Sequence, residues 1–300
     1  MDYILACVDG LSWPQLAPFV RSARTCAPQA RLVLFVHSLN ETTRAALSQH
    51  GVELQAFDAI FPGGLPRRER IRKCLWWLVR RANRALRYSE FKRRAICRAG
   101  GLLLPRNQGR FFAYRAFLEG CLAAGDSALF CDARDLIFQR DPFPLIDVAS
   151  LVLTQEKADA PLRANRFNAQ WLTETYGRAA LDRLGEMTIV CAGVIGGGRD
   201  PLLSLIDRII AESLAHPILY GADQAILNHL HGTGGLATAT VMPNRGALAW
   251  HLYGMTDAEI VVNDPGQLVD AAGYVYPIVH MYDRFPRLEA AVLKRWGVTL

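Results

Sequence analysis

Two aspartates three residues apart, Asp132 and Asp135, follow directly on the apolar run Ser127-Ala-Leu-Phe-Cys131. Carboxylates at the end of a buried strand can hold a divalent cation, and such a cation bridges the phosphates of a nucleotide. In the plainer alternative, Asp132 caps a turn and Asp135 pairs with Arg134 or Arg140. A second stretch, Cys191-Ala-Gly193-Val-Ile-Gly-Gly-Gly198, carries glycines that let a backbone approach a ligand closely. It has neither Gly-x-Gly-x-x-Gly nor Gly-Lys-Ser/Thr spacing, which excludes a P-loop. Gly196 to Gly198 read as a tight turn before a helix capped by Asp200, whereas Gly193 lies inside an apolar run that no turn explains. A third stretch, Gly221-Ala-Asp223-Gln224, opens a helix. There Asp223 either favours the helix dipole or joins Gln224 in gripping sugar hydroxyls. A fourth, Ile278-Val-His280, ends on a histidine that matters chemically only if the fold brings it to Asp135.

The elements that must position these groups read as alternating strands and helices. Tyr3 to Cys7 is an apolar strand ending at Val8-Asp9-Gly10, and a helix with apolar Leu16, Phe19, Val20 and Ala23 follows from Trp13. Arg31 to Val36 is an apolar run of the kind buried on both faces. A helix from Thr42 to His50 and an alternating strand from Val52 to Phe57 complete a βαβαβ start, which implies a parallel α/β sheet. Further along, helices are expected over Arg110 to Ala124, Pro201 to Leu214 and Ala222 to Leu230. Strands are expected at Leu151 to Thr154, Thr188 to Cys191, and near 236–242, 259–263 and 274–280. In open α/β sheets the ligand crevice lies at strand carboxyl ends, which is where Asp132 and Asp135 fall.

The formal charge of +6 is not spread evenly. Residues 67–98 hold 13 Arg or Lys against Glu69 and Glu90, a net of +11 that leaves −5 for the rest. The basicity is therefore no nucleic-acid footprint for the whole molecule, and no recognised nucleic-acid motif accompanies it. Within the segment, Ile71, Leu75, Leu78, Val79, Ala82 and Leu86 share one helical face among arginines, with Trp76 and Trp77 at its boundary. That pattern suits an anionic membrane surface, a helix packed on the body, or a lid over an anionic ligand. No apolar run approaches the ~20 residues that span a bilayer. The beginning Met1-Asp-Tyr-Ile-Leu-Ala lacks the basic stretch of a signal peptide. Seven scattered cysteines with no Cys-x-x-Cys pair suit buried thiols in a reducing compartment, so a cytoplasmic location is expected, peripheral on the inner face of a membrane if the basic helix binds lipid.

Taken together, Asp132 to Phe143 (Asp-x-Arg-Asp followed by Phe-Gln-x-Asp-Pro-Phe), the Gly193 strand, the Asp223-Gln224 helix and Val279-His-Met-Tyr-Asp-Arg284 resemble the nucleotide-sugar glycosyltransferases of the GT-A fold. The broader likeness is to the glycogenin and galactosyltransferase-like (family 8) enzymes, and it covers nearly the whole chain except roughly 64–105. It implies a Rossmann-like, mostly parallel central sheet flanked by helices, with a smaller mixed acceptor-side half. One catalytic domain over 1–300 is then expected. Residues 1–63 and 106–145 would form its nucleotide-binding half, 64–105 a basic helical insertion, and 146–300 the acceptor-side half. The resemblance further implies Mn²⁺ or Mg²⁺ on Asp132, Asp135 and His280, with Asp132 alternatively on the ribose. Val8 and Asp9 would meet the nucleobase, Arg110 the ribose or phosphate, and Gly193 the donor sugar, with Asp223 and Gln224 as catalytic residues. The implied reaction is retaining transfer from a UDP-linked sugar to a glycan or lipid-linked acceptor. The usual Asp-x-Asp signature is widened here by Ala133 and Arg134. That spacing keeps open a non-catalytic nucleotide- or membrane-binding relative; a nucleotidyltransferase is a further alternative, against which Val8-Asp9-Gly10-Leu11-Ser12 stands where its Gly-rich loop would follow the first strand.

Overall fold

The fold is that of a computed structural model, which describes residues 1–57, 71, 74–79, 81, 103–157, 159–216 and 221–298. Strands β1 (Asp2–Val8), β2 (Arg31–Val36), β3 (Glu53–Ala56) and β4 (Ser127–Cys131) are parallel, in the order β3-β2-β1-β4. The sheet continues through β7 (Val190–Gly198), antiparallel to both β4 and β6 (Leu151–Gln155), and closes with β8 (Thr240–Met242) parallel to β6. Successive side chains of β1 and β2 alternate between two cores. Tyr3, Leu5, Val33 and Phe35 pack with Phe111, Tyr114 and Leu118 of α3 (Arg106–Cys121) and with Leu202, Leu205 and Ile209 of α6 (Arg199–Ala215). Ile4, Ala6, Val8, Leu32 and Leu34 pack on Leu16, Phe19 and Val20 of α1 (Trp13–Cys26). Helices on both faces are the reason these strands are apolar at nearly every position. Each fully buried large side chain contributes about 1.5–3 kcal/mol.

The remaining helices are α2 (Glu41–Gln49), α4 (Arg166–Tyr176), α5 (Arg178–Leu184), α7 (Ala222–Gly232) and α8 (Pro286–Arg295), and β10 (Ile260–Val262) pairs with β11 (Leu268–Asp270). A second, three-stranded sheet matters more for chemistry. In it β12 (Ile278–His280) lies between β5 (Leu136–Phe138) and β9 (Ala249–His251). Its register sets His280 opposite Leu136 on one side and His251 on the other.

Several elements depart from the expected ones. Helix α3 starts at Arg106 rather than Arg110, because the Pro105 carbonyl accepts from both Gln108 N and Gly109 N and so begins the helix. Arg110 is thereby moved into the second turn. Gly196 to Gly198 do not form a turn; they end β7, paired with Leu129, Ala128 and Ser127. Their lack of side chains admits the neighbouring chain, since a Cβ on Gly198 would stand 1.9 Å from Val148 O. The following helix therefore begins at Arg199 with Gly198 as its cap, and Asp200 sits inside the first turn, paired with Arg199 at 2.7 Å. Three-residue strands β5, β9 and β11 are too short to leave a periodic signature.

Most of the basic segment lies outside the described residues, as does Cys97. What is described reverses the expected face. Trp76 is buried at 2% exposure and its Nε1 donates to His216 O at 3.3 Å, whereas Ile71, Leu75, Trp77 and Leu78 are exposed. The tryptophan offers more area to bury and an N–H that reaches a partner on the body. Among the described residues no helix is long and apolar enough to cross a membrane.

Candidate functional site

A cavity of about 770 Å³ opens where β4, β7 and α7 meet the β5–β12–β9 sheet. Seven of the residues singled out from sequence line it: Arg110, Asp132, Asp135, Gly193, Asp223, Gln224 and His280. Val8 and Asp9 are not among its lining residues. Val8 is fully buried in the core behind the sheet, and the Asp9 carboxylate accepts from Ser38 Oγ at 2.7 Å while the Asp9 carbonyl accepts from Arg106 at 3.2 Å.

The two carboxylates are arranged alike. One oxygen of Asp132 is held by Arg110, and its other oxygen lies 3.9 Å from His280 Nε2. One oxygen of Asp135 lies 3.4 Å from Arg284, and its other is 3.4 Å from the same His280 nitrogen. Asp135 is thus paired with His280 and Arg284, not with Arg134 or Arg140. Gly193 makes this convergence sterically possible. A Cβ there would stand 2.4 Å from His280 Cε1 and 2.9 Å from Asp132 Oδ2. The glycine that no turn explained, Gly193, is part of β7 and serves as a floor under two side chains.

Charge follows this geometry. Burial works against a proton on His280, but Asp135 and Cys191 outweigh it and hold the imidazole well above its usual pKa. Burial would likewise push Asp135 up, and His280 with Arg284 brings it below the ordinary carboxylate range. Concentrated negative charge that favours a proton on Nε2 also favours a divalent cation between the three groups. Two carboxylate oxygens and one imidazole nitrogen are an appropriate donor set for Mn²⁺ or Mg²⁺.

Behind His280 a hydrogen-bond chain fixes its ring. The Thr154 hydroxyl donates to Val194 O at 3.0 Å, so its oxygen accepts from His251 Nε2 at 2.8 Å. His251 then presents an unprotonated Nδ1, which accepts from His280 Nδ1 at 3.0 Å. Burial, reinforced by His280, keeps His251 well below its usual pKa and therefore neutral. The chain leaves Nε2 of His280 as the nitrogen that faces the carboxylates, the arrangement by which second partners orient metal-binding histidines. Cys191, His251 and His280 also bring ligand atoms within 4.8 Å of one another, and these hydrogen bonds account for that cluster.

Asp223 and Gln224 reach the cavity but are tied to its walls. Asp223 accepts from Asn107 at 2.8 Å and pairs with Arg110 at 3.2 Å. Burial pushes its carboxyl up, and Arg110 offsets only part of that. Gln224 accepts from Ala192 N at 2.7 Å and donates to Val190 O at 2.9 Å, clamping α7 to β7. Arg110, 6% exposed, joins Asp132, Asp223 and Ala192 O, and the two aspartates outweigh its burial to keep it charged. Sequence reading missed Glu156 and His251. Glu156 had one available signal, its place just past a hydrophobic strand; His251 had none, because β9 is three residues long.

No protein-family model and no curated protein matches the sequence. Solved structures do. An active-site mutant of LgtC shares 15% identity at a TM-score of 0.53, over 100% of this chain and 97% of that one. The galactosyltransferase LgtC in complex with donor and acceptor sugar analogs shares 13% at 0.50, with the same coverage. The chain has the GT-A fold. The glycosyltransferase GlyE of Streptococcus pneumoniae agrees, at 13% identity and a TM-score of 0.51 over 99% of this chain and 61% of that one.

Proposed function

We propose that this protein is a metal-dependent glycosyltransferase that moves a sugar from a nucleoside diphosphate donor, UDP-linked, to a glycan or lipid-linked acceptor. The observation that carries this reading is the meeting of Asp132 and Asp135 at His280, with Gly193 beneath Asp132 and His280 and an arginine on the outer oxygen of each aspartate. The pattern supports a cation site in spite of the widened carboxylate spacing, and so favours catalysis over the non-catalytic alternative. Mn²⁺ or Mg²⁺ held there supplies Lewis-acid stabilisation of the departing diphosphate. The protein's own groups do the rest. Arg110 holds Asp132 in orientation and adds positive charge beside the phosphates. Arg284, half-exposed at the cavity rim, gives that side of the site a second cation. The likeness to the LgtC structure in complex with donor and acceptor sugar analogs supports a donor and an acceptor in one cavity, and the family 8 resemblance favours retention.

Thermal denaturation with Mn²⁺ and UDP tests the donor site, because a ligand bound only by the folded state raises its stability. The expected result is a rise in melting temperature with both together, reversed by EDTA. Asp135→Asn should lose that rise and about 10³-fold in turnover. No metal-dependent shift with any nucleoside diphosphate would refute the donor-site assignment.

The exposed Ile71, Leu75, Trp77 and Leu78, within the segment of net charge +11, favour an anionic membrane surface as a further partner.

A further inference from the structure

The cavity holds a carboxylate that the donor site leaves unused. Glu156 follows β6, anchored by its own N–H to Ile189 O at 2.8 Å, and it lines the cavity at only 6% exposure. The aspartates sharing the cavity each face an arginine: Asp132 and Asp223 face Arg110, and Asp135 faces Arg284. Glu156 alone among the buried carboxylates described there has no ion pair. Cys191, which also lines the cavity, has its Sγ 3.7 Å from His280 Nδ1. Gln224 Nε2 donates one N–H to Val190 O at 2.9 Å and the other to Oε1 of Glu156 at 3.5 Å, a neutral partner that brings no counter-charge.

A buried carboxylate without a counter-charge is costly. Loss of a nucleoside diphosphate from a sugar generates the missing positive charge, spread over the anomeric carbon and ring oxygen. Resting on the glycosyltransferase reading of this cavity, we propose that Glu156 is a catalytic residue whose carboxylate faces the glycosyl group and stabilises that charge. In the step it assists, the anomeric C–O bond breaks and its electron pair passes to the diphosphate oxygen. The acceptor hydroxyl oxygen bonds to the same carbon, and its proton passes to the departing diphosphate. Glu156 exchanges no atom; it acts through charge preorganised in a water-poor cavity. Burial pushes its carboxyl up to about 7, against smaller opposing effects of His280 and Cys191, and a cationic sugar beside it favours the ionised form.

The test compares the full-length protein with Glu156→Gln and Glu156→Asp. UDP release from a panel of UDP-sugars with Mn²⁺ gives kcat, and calorimetry gives affinity for UDP with Mn²⁺. The glutamine variant keeps shape and volume, so it should bind UDP within about threefold of wild type while kcat falls about 10²–10³-fold, the scale of losing one preorganised electrostatic group. The aspartate variant should recover part of that loss. A glutamine variant with kcat within threefold of wild type, or one whose whole deficit lies in UDP affinity, overturns the assignment of Glu156 alone. A wild-type protein that binds no UDP with Mn²⁺ overturns the glycosyltransferase reading, and the role of Glu156 with it.

Discussion

At the scale of single residues, a glycine decides whether the site can exist. Any Cβ at Gly193 meets both His280 and Asp132 below van der Waals distance, and the obstacles are buried or ion-paired groups rather than loose chain ends. Gly193→Ala should therefore weaken Mn²⁺ binding at least tenfold and cost about 1–3 kcal/mol of stability, the range for overpacking a filled interior. Calorimetric Mn²⁺ titration and urea unfolding would check both; unchanged Mn²⁺ affinity in a folded variant would refute the cradle. Asp132, Asp135 and His280 were readable as candidates from residue type and place. That Glu156 has no ion pair among the described residues was not, because a missing ion pair is a property of everything packed around a side chain.

Elements bring these residues together through registers that depend on very short strands. β12 joins β5, directly after Asp135, to β9, which carries His251, and the Met281 N–H donates to Asp135 O at 2.7 Å. His251 thereby acts as a positioning residue, orienting His280 without facing the cavity itself. Replacing it with phenylalanine, which keeps the ring but not the nitrogen, should weaken Mn²⁺ binding about 10–100-fold, as loss of a second partner behind a metal-binding histidine does. Asparagine at 251, able to accept at one atom, should recover part of this. Equal Mn²⁺ affinity in wild type and His251→Phe would show that the hydrogen-bond chain does not orient His280. Elements long enough to show a period were legible: β1, α1, β2 and β4 stand close to where the apolar pattern puts them. Where boundaries moved, as at Pro105 and Gly198, a neighbouring backbone rather than the local pattern set the limit.

For the whole molecule, the net +6 divides into an acidic body that carries the cavity and a basic segment whose Trp76 is buried, its Nε1 donating to His216 O. If Ile71, Leu75 and Leu78 meet lipid, the intact protein should float with vesicles containing anionic lipid and not with neutral ones. A form lacking 67–98 should stay behind, whereas equal recovery of the two forms would remove the membrane role. The sequence by itself determined the α/β core and the placing of Asp132 and Asp135 at a strand's carboxyl end, because hydrophobic burial imprints its period on adjacent residues. It also determined the resemblance that the GT-A fold bears out. Only the tertiary structure decided that His280 meets Asp135, that Gly193 lies under His280 and Asp132, and that Glu156 is buried without an ion pair. Those outcomes depend on pairing between segments far apart in the chain, and short strands and single contacts leave no periodic trace of their partners.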